Sequence, residues 1–134
     1  MSKELLWPAL VTVLSAMLYF VFVGLVGRAR GKYKVPAPQT SGNPDFERVI
    51  RVQLNTLEQL VIFFPSLWLF SLTLSPLIGA GFGALWIIGR IVYAAGYYQA
   101  AEKRGTGFAI TATATVSLML GSLIGIVLQL VKGA

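Results

Sequence analysis

One narrow stripe of polar side chains follows the first half of the second predicted helix. At about 100° per residue, Asn55 lies about +40° from Arg51, and Glu58 lies about −20° from it. Arg48 falls at about +60°, on the same side. Together these side chains offer guanidinium, amide and carboxylate groups, which can hold a charged ligand through strong hydrogen bonds.

A second polar stripe follows the third predicted helix from Arg90. Tyr93 lies about −60° and Tyr97 about −20° from Arg90 around the helix axis. Arg104 lies at about −40° if the helix continues that far. The first stripe lies near the start of the second helix and this one near the end of the third, so both approach the same membrane face. The sequence therefore predicts one polar site there.

The composition indicates that lipid surrounds the elements that position these side chains. Of 134 residues, 56% are hydrophobic and 12% charged, whereas a soluble domain carries about 25% charged residues. The nearly unbroken apolar run from Leu5 to Gly27 can cross a hydrocarbon core of about 30 Å. We therefore expect an integral membrane protein.

The order of apolar runs and breaks predicts an all-α, up-down bundle of four transmembrane helices in a single domain, 1–134. The helices are expected at about 5–27, 46–74, 77–104 and 107–131. Pro36, Pro38 and Pro44 mark the first loop, because proline denies the backbone its helix hydrogen bonds. Asp45 is the expected N-cap of the second helix.

The distribution of cations predicts the topology. Most of the 11 Lys and Arg residues fall in the first loop and in the turn after the third helix. The positive-inside rule then places both loops in the cytoplasm and both termini outside. A short chain with no eukaryotic-style retrieval tail favours a bacterial inner membrane. Lys32, Lys34 and Lys103 are interpreted as solvated charges near anionic lipid.

The residue types exclude several chemistries. The chain has no cysteine, no histidine and only 5 acidic residues, so no disulfide, His-based triad or metal site is expected. Cations clustered at helix ends record topology rather than contact with nucleic acid. Tyr98 points about 100° away from Tyr97 and is left outside the site.

The excess of cations around a single carboxylate is the main functional signal. Ionisable groups in a membrane cost about 2.5–3.5 kcal/mol each and need partners. Pairing of Glu58 with Arg51 or Arg90 would satisfy one arginine only. The surplus favours an anionic ligand, and the mixture of groups suits a small zwitterionic peptide of net negative charge; the surplus arginines are Arg30, Arg48, Arg51, Arg90 and Arg104.

The segment 46–58, FERVIRVQLNTLE, and the segment 89–97, GRIVYAAGY, resemble the two motifs of the MAPEG superfamily, the membrane-associated proteins in eicosanoid and glutathione metabolism. The resemblance covers essentially the whole chain. It implies a homotrimer that holds glutathione at each subunit interface near the cytoplasm. One subunit would supply Arg51, Asn55, Glu58, Tyr93 and Tyr97; its neighbour would supply Arg30, Gln53 and Arg104.

In the glutathione-using branch, the arginine that matches Arg104 stabilises the thiolate, so the resemblance implies a glutathione transferase with Arg104 as its catalytic residue. The second substrate would be a lipophilic electrophile or a lipid hydroperoxide. Gly31 and Gln59 differ from residues of the leukotriene-synthesising members, which argues against a specific eicosanoid conversion.

Two other functions compete with this hypothesis. A non-catalytic lipid- or glutathione-binding member of the same superfamily would lack the thiolate-stabilising arginine, whereas Arg104 is present. A small four-helix multidrug exporter would need a carboxylate in its first span, and the segment from Leu5 to Gly27 contains no charge.

Overall fold

Four long helices make up most of the chain in the computed structural model, which describes residues 1–133: α1 (Leu6–Tyr33), α2 (Pro44–Thr73), α3 (Pro76–Gln99) and α4 (Gly105–Val131). Each is long and apolar enough to cross a membrane. Short connections between successive spans make neighbouring helices antiparallel. The predicted all-α bundle of four spans is confirmed, while Ala134, at the end of the predicted domain, lies outside the described residues.

Helix α1 continues past Gly27, where the sequence predicted its end, to Tyr33. The basic side chains after Gly27 predict the start of a loop, and this prediction is wrong. Cations in the last turn of a helix are favourable beside the negative end of the helix dipole. Arg30 and Lys32 occupy that last turn. Lys34 is the C-cap that follows the helix, and its φ of 57° lies in the left-handed region.

Helix α2 begins two residues before the prediction, and its N-cap is Asn43 rather than Asp45. Asn43 is extended, with φ −152°, and its Oδ1 accepts hydrogen bonds from the backbone N–H groups of Asp45 (2.9 Å) and Phe46 (3.1 Å). Pro44 fits the first helical position because its fixed φ suits a helix and no N–H is needed there. The side chain of Asn43 therefore satisfies two backbone donors at the start of α2.

Helix α3 ends at Gln99 and not at the predicted residue 104. Ala100 is extended, and a 3₁₀ turn, Ala101–Arg104, leads directly into α4. This turn folds closely onto α3, since a Cβ on Gly96 would collide with the carbonyl oxygen of Lys103. Arg104 therefore lies on a turn beside α3 and not on its helical stripe.

The core forms where the four helices meet. Phe63 stacks on Trp86 with ring centroids 4.1 Å apart, and both side chains are fully buried beside Leu67 and Leu118. Large apolar side chains also cover the outside of the bundle; Phe20, for example, is 75% exposed. That outer surface suits lipid or another membrane-embedded subunit rather than water.

Candidate polar binding site

Arg90 is the buried centre of the polar region. Its side chain is fully buried, and Nη1 donates hydrogen bonds to Asn55 Oδ1 (2.8 Å) and Thr56 Oγ1 (3.4 Å). Nη2 donates to Thr111 Oγ1 at 3.1 Å. The guanidinium also lies 4.2 Å from the ring centroid of Tyr93. Arg90 thus joins α2, α3 and α4, and its α2 partners are Asn55 and Thr56 rather than Glu58.

The two threonines can accept these bonds because their own protons are used elsewhere. Thr56 Oγ1 donates to the carbonyl of Val52 (2.7 Å), and Thr111 Oγ1 donates to the carbonyl of Gly107 (2.6 Å). Their lone pairs are then free for the guanidinium. The sequence interpretation missed Thr56 and Thr111; the available signal was that a buried arginine needs acceptors from the neighbouring helices.

Aromatic rings connect this buried centre to the end of the bundle. The Tyr93 and Tyr97 ring centroids lie 5.5 Å apart in an edge-to-face arrangement. The Arg104 guanidinium carbon lies 5.6 Å from the Tyr97 centroid, and its Nη1 donates to the carbonyl of Ala101 at 2.9 Å. Arg104 therefore reaches the tyrosine pair of its own chain even though it lies outside α3. The resemblance assigned Arg104 to the neighbouring subunit together with Arg30 and Gln53, whereas within the chain it lies beside Tyr97.

Arg51 and Glu58 lie on the same face of α2 as Asn55, and both are exposed on the single chain. Within residues 1–133, neither forms an ion pair. The alternative in which Glu58 is satisfied by an internal arginine is therefore wrong for this chain. Arg48 instead pairs with Asp45 and donates from Nε to the carbonyl of Tyr98 (3.4 Å), which separates it from the rest of its stripe.

Arg30 and Gln53 do not join the other predicted site residues within the chain. Gln53 lies about 200° around α2 from Arg51, and its Nε2 donates to the Tyr19 hydroxyl at 2.8 Å. Arg30 donates to the carbonyl of Gln39 at 2.7 Å. These two side chains lie on the α1 side of α2, away from the face that carries Arg51.

The four spans and the polar residues together define a class of protein. It is an integral membrane protein of four helices with a cationic, tyrosine-lined face at one end of the bundle. Residues 8–124 match the MAPEG family, and the chain belongs to that family.

Three relatives illustrate the range of the similarity. Human microsomal glutathione S-transferase 2 is 40% identical over 118 residues, which cover 88% of this chain and 80% of the human protein. Mouse leukotriene C4 synthase is 31% identical over 133 residues, covering 99% and 89%. A protein of uncharacterised function from Synechocystis is 59% identical over 129 residues, covering 96% and 94%.

Proposed function

We propose that this protein is a membrane-bound glutathione transferase, which activates the glutathione thiolate for conjugation to lipophilic electrophiles. The observation that carries the proposal is the row formed by Tyr93, Tyr97 and Arg104. It is accompanied by two charges on α2, those of Arg51 and Glu58, which have no ion-pair partner among residues 1–133. Similarity to a glutathione transferase and to leukotriene C4 synthase supports the same chemistry.

The α2 face suits the two ends of glutathione. Arg51 can bind a carboxylate by two parallel hydrogen bonds, and Glu58 can accept from the ammonium group. Asn55 offers an amide to a peptide group, and its orientation is fixed by the bond from Arg90. In the proposed complex, the ligand supplies the counter-charges that the described residues do not.

We further propose that the complete site lies between subunits of a homotrimer at the cytoplasmic side of a bacterial inner membrane, with both termini outside. Arg30 belongs to α1, and Gln53 lies on the side of α2 that faces α1, so within one chain both lie away from the Arg51 face. In a cyclic oligomer, the two sides of α2 serve two different copies of the site.

Arg104 is the proposed catalytic residue because its guanidinium is exposed beside the tyrosine pair. A free thiol has a pKa of about 8.5, and each unit by which that pKa falls requires about 1.4 kcal/mol of preferential stabilisation of the thiolate. A neighbouring guanidinium lowers a pKa by about 1–3 units. The thiol proton passes to water, and the thiolate sulfur attacks the electrophilic carbon while the leaving group departs with its electron pair.

A peroxidase side activity would use the same thiolate. Two glutathione molecules would be oxidised to the disulfide, and the lipid hydroperoxide would be reduced to an alcohol and water. The lipophilic substrate would reach the site from the bilayer, and glutathione would reach it from the cytoplasm.

The test is the change Arg104→Ala, assayed in detergent with glutathione and a chromogenic aryl halide. At neutral pH we expect turnover to fall about 10- to 100-fold, as expected for the loss of one to two units of thiol pKa depression. Glutathione binding should persist. Because the thiol pKa rises, the pH below which the rate declines should move upward. Lys103→Ala, the adjacent cation, serves as the control and should retain activity.

Unchanged turnover and an unchanged pH profile in Arg104→Ala would refute its catalytic role. Glutathione binding without turnover in the unmodified protein would instead support a non-catalytic binding protein.

A further inference from the structure

A cationic cavity lies beside the C-terminal end of α1, away from the Arg51 face of α2. Its volume is about 270 Å³. Residues from three helices line it, chiefly Leu25, Arg28, Lys32 and Tyr33 of α1, Val49 of α2 and Tyr98 of α3. Tyr98 lies about 100° around α3 from Tyr97, so this cavity opens on a different side of the bundle.

The charges at this cavity are uncompensated. Arg28 and Lys32 are one helical turn apart and exposed. In the part of the chain that the structure describes, neither has an ion-pair partner, and no acidic side chain lines the cavity. Lys32 Nζ lies 5.3 Å from the ring centroid of Tyr33, and the buried hydroxyl of Tyr98 has no hydrogen-bond partner among the described residues. A ligand with several acceptor oxygens and negative charge suits these groups.

An apolar stripe leads from the cavity along α1. Leu14, Met17 and Val21 lie on the same side of the helix as Arg28 and are 44%, 59% and 54% exposed. From Arg28 to Leu14 the helix rises about 21 Å, whereas one leaflet of the hydrocarbon core is about 15 Å thick. The stripe is therefore long enough to contact an acyl chain. A free phosphate ion has no apolar part that could contact it.

We propose that this cavity binds the phosphate headgroup of one anionic phospholipid, with its acyl chains lying against the α1 stripe. Arg28 and Lys32 neutralise the phosphate at the boundary of the membrane, where basic side chains attract anionic lipid. Leu25 and Val49 contact the glycerol region. The cavity shares no residue with the proposed glutathione site.

The experiment compares binding of phosphatidylglycerol and phosphatidylcholine to the purified full-length protein by native mass spectrometry. We expect tighter binding of phosphatidylglycerol, and about 10- to 30-fold weaker binding in the double variant Arg28→Gln/Lys32→Gln, as two lost cations near an anionic headgroup imply. Lys34→Gln/Lys103→Gln removes the same charge from exposed positions outside the cavity and should leave the affinity unchanged. Unaltered helical circular dichroism shows that both variants are folded.

Three results would overturn the proposal. Equal binding of both lipids would exclude charge recognition. An equal loss in the two double variants would show attraction by net charge alone. Displacement of phosphatidylglycerol by excess inorganic phosphate would show that the cavity takes a free phosphate rather than a lipid.

Discussion

A buried guanidinium without a carboxylate partner distinguishes Arg90 from every other arginine of the site. Its charge is spread over hydrogen bonds to Asn55, Thr56 and Thr111 and over the face of Tyr93. Both threonines keep their bonds to backbone carbonyls without it. Asn55 therefore depends most on Arg90, and we expect Arg90 to hold Asn55 in place.

This dependence predicts the effects of Arg90→Met. The substitution leaves the buried acceptors of Arg90 without a donor, which should lower the free energy of unfolding by about 1–3 kcal/mol. Glutathione affinity should also fall, because Asn55 loses the bond that orients it. Thermal unfolding in detergent and calorimetric titration with glutathione measure the two effects.

Arg48→Met is the matched control, since Arg48 has only a partly exposed pair with Asp45 and a long bond to a carbonyl. Surface pairs contribute about 0–1 kcal/mol, so its effect should be small. If Arg90→Met bound glutathione as tightly as the unmodified protein, the link through Asn55 would be wrong.

At the scale of elements, the contact between α3 and α4 depends on a missing side chain. A Cβ on Gly107 would collide with the backbone of Tyr93, whereas a Cβ on Gly105 has nothing within 4 Å. The close approach places Thr111, one turn beyond Gly107, within reach of Arg90. The start of α4 thus helps to position both Tyr93 and Arg90.

We therefore expect Gly107→Ala to force the two helices apart. The strain should lower the free energy of unfolding by about 1–3 kcal/mol, and transferase activity should fall because Tyr93 and Arg90 shift together. Gly105→Ala adds the same methyl group in open space and should leave both quantities near their original values. Equal thermal midpoints and activities in the two variants would contradict this account of the interface.

The sequence predicted the number and order of the helices because long apolar runs separated by prolines and charges leave few alternatives. It misplaced the ends of α1 and α3, which depend on tertiary structure. Arg30 in α1 is held by the carbonyl of Gln39, and the turn after α3 is fitted against Gly96. Helical spacing placed Asn55 and Arg90 on two stripes that approach the same membrane face, but it did not predict the hydrogen bond between them. Nor could it show that Thr111 on α4 completes the set.

At the scale of the whole molecule, polar groups occupy two different sides of α2. Arg51 and Glu58 lie on one side, while Gln53 lies on the side that faces α1, the helix that carries Arg30. In a ring of identical subunits, a heterologous interface brings the first side of one copy to the second side of the next. In the proposed homotrimer, the exposed apolar exterior would provide the surface for such packing.

Mixed oligomers test whether the site is shared in this way. Arg51→Ala and Arg30→Ala should each be nearly inactive alone, because each removes a guanidinium from every site. When the two variants are coexpressed in equal amounts, random assembly into trimers gives about one site in four with both arginines intact, so about a quarter of the activity should return. Coexpression of Arg51→Ala with Glu58→Gln, which alter the same side of α2, is the control and should remain inactive. Failure of the first pair to recover activity, with trimers present by native mass spectrometry, would place all the ligand contacts within one subunit.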